Sequence, residues 1–302
     1  TSTQTIQESL HFPKQVFSAE FTSKMIRQLT TSPDGKFVVF NAAGFLYKKE
    51  LPNGTPERVT NGIDFEFEPD ISPDGKFVIY TTWSDEFKGS IKRADLKSGK
   101  TIPLTNEKGL YYSPSYSTKG DKIVYRKGVG NDVLGYAYGR GTGIFTMAAD
   151  GTSKTLISEN GIKPQFNKDD TRIFFQGNED GKKAFKSVDL NGGNPRTHYT
   201  STYVTQFCPS PDGKWMAFTE LFNVYITPMV TTGSPLELSS TNKSIPLTRV
   251  TKDAGTYLHW SSDGSKLQWT LGEQYFSREI KNTFNFVDGA PQTIPPPDST
   301  GV

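Results

Sequence analysis

Phe67-Glu68-Pro69-Asp70-Ile71-Ser72-Pro73-Asp74-Gly75-Lys76-Phe77-Val78-Ile79-Tyr80 reads as a short strand, a tight turn and a second strand rich in β-branched and aromatic residues. Pro fixes φ at the second turn position, Asp can bond backbone two residues on, and Gly accepts the positive φ that ends the turn. The phrase returns at Ser32-Pro33-Asp34-Gly35 and Ser210-Pro211-Asp212-Gly213, each running into an apolar strand. Looser copies begin at Ser117, Asn167 and Ser261, which makes six. They lie roughly 40 to 51 residues apart, the period of one four-stranded propeller blade rather than of a helical hairpin. The expected fold is all-β: a six-bladed β-propeller of four-stranded antiparallel blades.

The blades are expected near 25–60, 63–105, 111–158, 163–199, 203–250 and 256–280, as one domain spanning 1–286. Units that each expose an apolar face need their neighbours, so 302 residues form one ring rather than two domains. A fourth strand for the last blade is hard to find after Lys281. Residues 1–12, which alternate loosely through Thr3, Thr5, Ile6, Leu10 and Phe12, are expected to supply that edge and close the ring. From Val287 the chain turns Pro-rich, and 287–302 reads as a C-terminal linker.

The 21 Phe, 13 Tyr, 28 Gly and 19 Pro suit many short strands and turns. No apolar run approaches the ~18 residues of a membrane span. A net charge of +2, with Lys and Arg scattered, is a solvated surface and not a nucleic-acid footprint. Cys208 is the single cysteine, so an intrachain disulfide is impossible, and beside Phe207 it reads as packing. Starting at Thr1 with no apolar leader, the sequence is expected to be a processed or excised segment.

Candidate chemistry is sparse. His11, His198 and His259 lack the i, i+2 or i, i+4 spacing of metal-ligating pairs, and His259 is expected at an inner blade edge, hydrogen-bonded. Asp34, Asp74, Asp212 and Asp263 resemble an acidic set, but their place in the turn assigns them to backbone N–H groups. The long glycine-rich interruption 127–143 fits neither nucleotide-binding fingerprint. Its Tyr136, Tyr138 and Arg140 are residue types that anchor interfaces, so this loop is the candidate binding element. No catalytic residue, metal site or cofactor is expected in this segment.

The Ser-Pro-Asp-Gly repeats resemble those of the TolB-like (PD40, WD40-like) propeller family, whose namesake is periplasmic. A narrower likeness is to the propeller that precedes the catalytic barrel in large secreted bacterial amidohydrolases. It rests on Met25-Ile26-Arg27, Gly44-Phe45-Leu46-Tyr47, Arg58-Val59-Thr60, Gly161-Ile162-Lys163-Pro164-Gln165-Phe166, Phe222-Asn223-Val224-Tyr225 and Leu258-His259-Trp260-Ser261. The resemblance implies a hydrolase parent and a periplasmic or secreted location in bacteria. The barrel's His-x-His is missing, so no catalytic residue carries over.

Three readings follow. The segment is a non-catalytic scaffold, substrate gate or docking module whose partner is the parent's C-terminal barrel. Alternatively it is a free-standing periplasmic propeller holding a protein or peptide. The third is a propeller enzyme resembling oligogalacturonate lyases, which requires His198 and His259 to converge at the channel.

Overall fold

The computed structural model describes residues 22–128 and 141–298, together with Thr5, Ser9 and Glu20. Blade one contains β1 (Arg27–Thr31), β2 (Phe37–Ala42), β3 (Phe45–Glu50) and β4 (Glu57–Arg58). Blade two contains β5 (Phe65–Ile71), β6 (Phe77–Ser84), β7 (Lys88–Asp95) and β8 (Thr101–Pro103). Blade three follows with β9 (Leu110–Tyr116), β10 (Lys122–Gly128), β11 (Gly143–Ala148) and β12 (Thr155–Ser158). Blade four has β13 (Ile162–Phe166), β14 (Arg172–Glu179), β15 (Lys182–Asp189) and β16 (Arg196–Ser201). Blade five has β17 (Val204–Pro209), β18 (Trp215–Glu220), β19 (Asn223–Pro228) and β21 (Thr248–Arg249). Between them β20 (Leu236–Glu237) leaves blade five and pairs in parallel with β16 as a fifth strand of blade four. Blade six comprises β22 (Thr256–Trp260), β23 (Lys266–Leu271) and β24 (Gln274–Glu279), three strands among the described residues.

The inner strands β1, β5, β9, β13, β17 and β22 surround the channel, and β22 touches both β17 and β1, closing the circle. The core is divided into six apolar clusters, one per seam between neighbouring blades. Seam one–two, for example, joins Val39, Leu46 and Val59 of blade one to Ile71, Val78 and Tyr80 of blade two. Fully burying one such aliphatic side chain contributes roughly 1.5–3 kcal/mol, so each seam holds its two blades in register.

The repeated turn is built as its residues dictate. Ser72 donates its hydroxyl to Asp74 at 2.6 Å and accepts the Phe77 N–H at 2.9 Å. Asp74 also accepts the Lys76 N–H, and Gly75 ends the turn at φ +72°. The same bonds recur at Ser32 and Asp34, at Ser210 and Asp212, and at Ser261 and Asp263. Blade four departs from the pattern, because Asp170 holds the positive φ that a glycine holds elsewhere. Its carboxylate accepts the Thr118 N–H at 2.8 Å and the Lys119 N–H at 3.1 Å, fastening this turn to the one in blade three.

Residues 283–298 turn back over blades five and six. Trp215 stacks on Phe284 at 5.3 Å, Arg278 donates to the Pro295 and Pro296 carbonyls, and Asp298 accepts the Lys252 N–H. The Pro-rich stretch from Val287 is therefore docked on the propeller as far as Asp298. Residues 1–12, expected as the closing strand, lie outside the described residues apart from Thr5 and Ser9.

Candidate functional site

Five of the six inner strands carry a break in the ladder at the same place, four residues before the turn's first residue. Pairing slips between Arg27 and Thr30 in β1, between Phe67 and Asp70 in β5, and between Ile162 and Gln165 in β13, and β9 and β22 slip alike, whereas in β17 the slip comes earlier, between Val204 and Gln206. The residue at the slip has φ near +50° in five blades: Gln28 50°, Glu68 50°, Ser113 47°, Lys163 49° and Tyr257 54°. In blade five Gln206 stands the same four residues before its turn but is paired with Thr219. A β-bulge re-aims its side chain, and a non-glycine residue at such a φ costs of order 1 kcal/mol. The fold stores this strain in one ring of polar side chains that line a cavity in the channel.

The ring is wired from blade to blade. Gln28 Oε1 accepts the Glu68 N–H at 3.0 Å, and Glu68 in turn accepts the Ser113 N–H at 2.6 Å and its hydroxyl at 3.3 Å. Burial raises the Glu68 carboxyl above its ordinary value, against the pull of the Ser113 bonds. Lys163 reaches channel water but is walled by protein, and this desolvation lowers its ammonium.

Two residues further along each strand lies a second ring, made of Thr30, Asp70, Ser115, Gln165, Cys208 and His259. Asp70 accepts the Tyr116 N–H at 2.7 Å, yet desolvation pushes its carboxyl up to about 6. Burial pushes the Cys208 thiol up to about 12, which keeps it protonated and unreactive. Burial lowers His259 to about 4, so it is neutral; the Tyr257 carbonyl and Gln268 oppose the shift. Its Nε2 lies 2.9 Å from the Thr31 hydroxyl, which also bonds Gln268 and Tyr275, so His259 ties blade six to blade one.

The channel opens at two ends. The turns with their prolines Pro33, Pro73 and Pro211 rim a cavity of about 450 Å³ at one. At the other, the starts of inner strands meet the hairpins of the preceding blades, as where the Glu66 N–H donates to the Gly44 carbonyl. Phe65, Phe87, Ile162, Tyr203, Leu221 and Phe222 are exposed at this second end. The first end carries the charged turn residues Lys36, Lys76 and Lys214 instead.

Asp34, Asp74, Asp212 and Asp263 sit in the turns outside the channel, bonded to their own serines. The Ser32 hydroxyl and the Lys36 N–H hold the Asp34 carboxyl down at about 2. His259 is at an inner edge, but His198 lies on β16 against Phe174 and bonds the Ser187 hydroxyl at 2.8 Å. The two histidines are not brought together, and among the described residues no three His, Cys, Asp or Glu side chains converge as metal ligands. Tyr136, Tyr138 and Arg140 lie outside the described residues, as does His11. The two rings were missed in the sequence, though one signal existed. Pro69, Pro114 and Pro164 each stand three residues before the turn's first residue, and proline inside a sheet is confined to edges and bulges.

Comparison with known proteins agrees on the fold. A candidate TolB from Agrobacterium tumefaciens is similar in structure, with a TM-score of 0.61 and 20% identity over 82% of this chain and 91% of that one. An oligogalacturonate lyase in complex with manganese gives 0.57 and 13%, covering 80% of this chain and 72% of its own. TolB from Acinetobacter baumannii gives 0.54 and 18%, covering 75% and 55% respectively. The chain thus has a TolB-like six-bladed propeller fold. No protein-family model and no curated protein sequence matches it.

Proposed function

We propose that the protein is a non-catalytic binding module that takes an extended peptide segment of a protein partner into the channel, entering from the apolar end. The observation that carries this reading is the strained ring of Gln28, Glu68, Ser113, Lys163 and Tyr257, all held at positive φ with their side chains in the channel. Strain of this kind persists where surrounding structure over-determines it, and it clusters at ligand clamps. Glu68 and Asp70 stand on one strand and Lys163 on another, so donors and acceptors are offered to a peptide backbone and its polar side chains. The exposed aromatics at the same end supply the apolar contacts that anchor interfaces.

A displayed random-peptide library selected on the wild-type protein tests this reading. Enriched peptides are expected to lose at least ten-fold in affinity for the Glu68→Gln, Lys163→Gln double variant. Equal affinity for both proteins would remove the channel from the account.

The motif likeness to the propeller of secreted amidohydrolases supports a periplasmic or secreted setting and a hydrolase parent. A downstream reading frame encoding His-x-His within alternating strands and helices is the expected result. An immediate stop codon would leave the free-standing propeller.

A further inference from the structure

Five of the six seams are plugged by a side chain from the fourth strand of the preceding blade, within two residues of its end. The plugs are Val59, Leu104, Ile157, Tyr199 and Val250, all buried. The plug is held the same way in three blades: Val59 N–H donates to the Leu46 carbonyl, Leu104 to Ile91 and Val250 to Val224. The next residue assists in two of them, where the Thr105 and Thr251 hydroxyls accept the N–H of Ile91 and Val224.

Seam six–one differs. Among the described residues its cluster consists of Leu29, Val38, Phe40, Ala42 and Tyr275, with no fourth-strand member. Tyr275 stands where Leu46 stands in blade one, since Tyr275 pairs with Thr270 as Leu46 pairs with Asn41. Val38 and Phe40 stand where Val78 and Tyr80 enclose Val59. A cavity of about 700 Å³ is lined by these same three positions, beside the outer edge of β24. Glu20 and Ser23, which precede β1, also line it.

The repeat narrows the residue that could fill it to a short window. The plug precedes its channel residue by six positions at Ile157, seven at Tyr199 and Val250, and nine at Val59 and Leu104; counted back from Gln28 these are Thr22, Phe21 and Ala19, and Phe21 alone of the three is a large apolar residue. Phe21 is followed by Thr22, as Val250 is followed by Thr251.

We propose that the groove between blades six and one is the docking site of the chain's own segment 16–22, added antiparallel to β24 with Phe21 as the sixth plug. The direction suits the connection. An antiparallel partner of β24 ends where Ile26 N–H meets the Gly272 carbonyl, 3.0 Å away, which is where β1 begins. By the pattern of the other blades the Phe21 N–H donates to the Tyr275 carbonyl. The Thr22 hydroxyl, exposed in this structure, turns inward to the Tyr275 N–H. On this proposal the closing strand runs immediately before β1, in place of the expected residues 1–12.

Two full-length variants and one amide decide it. Phe21→Ala is expected to lower the melting temperature by about 5 °C or more, as for a buried aromatic. Phe12→Ala is expected to leave it within about 1 °C. In native-state hydrogen exchange, the Tyr275 amide is expected to be protected in the wild type and to exchange at least ten-fold faster in Phe21→Asp. Unchanged melting in Phe21→Ala, or a loss confined to Phe12→Ala, would overturn the assignment. So would protection of Tyr275 that rises with protein concentration, which would make a second copy the occupant.

Discussion

Asp70 is the residue at which the cost of the channel is measurable. Its carboxyl sits in the second ring at about 6 instead of the ordinary 3.8, because desolvation outweighs the bond from the Tyr116 N–H. A folded-state value above the unfolded one means that the contribution is fully present below pH 3.8 and is lost as pH rises through 6. At about 1.4 kcal/mol per unit, the ionised carboxylate costs the fold up to roughly 3 kcal/mol near neutrality. Channel water lowers this to about 1–2 kcal/mol. Asp70→Asn removes the charge and keeps an acceptor for Tyr116, so it should stabilise the protein above pH 6.5 by that amount. Near pH 3.5 it should make no difference. Urea denaturation of both proteins from pH 3.5 to 8 gives the two curves. A variant equally or less stable than the wild type at every pH would refute the reasoning, because the carboxylate would then be well solvated or paired.

His259 should give the opposite slope. Its folded value of about 4 lies below the ordinary 6.5, so stability present above pH 6.5 is lost as pH falls toward 4; His259→Gln should flatten that limb in the same titration. Asp74→Ala should cost about 1 kcal/mol of unfolding free energy by removing the acceptor for the Ser72 hydroxyl and Lys76 N–H, read as a lower urea midpoint with an unchanged slope. Trp215→Ala should release the C-terminal segment stacked on it, seen as faster proteolysis between 284 and 298 while the blades stay resistant. Cys208 should resist alkylation in the native state and react after denaturation, as a buried, protonated thiol does.

The ring of blades was legible because its turn is local chemistry. Ser72-Pro73-Asp74-Gly75 carries the φ, the acceptor and the positive-φ glycine within four residues, and six such turns at a steady period leave few architectures. Asp170 in the glycine's place obscured blade four only slightly, since Arg172-Ile173-Phe174-Phe175 still reads as the following strand. The channel rings were not legible by the same means. Whether Glu68 or its neighbours face the channel depends on the bulge, and the bulge depends on a pairing slip against β6 across the turn. Strand alternation alone cannot give that register. β20 escaped for a related reason: its partner β16 belongs to another blade, so nothing in Thr231 to Pro246 announces the pairing. His198 and His259, adjacent in a list of histidines, part because one lies on an outer strand and the other on an inner one.

Photo-crosslinking tests channel binding most directly. A benzophenone side chain replaces Tyr257 in one protein and Lys100, on the exposed turn of blade two, in another, and each is irradiated with a peptide selected on the wild type. Channel binding predicts a crosslink from position 257 that unlabelled peptide competes away, and none from position 100. Crosslinking at 100 and not at 257 would contradict it.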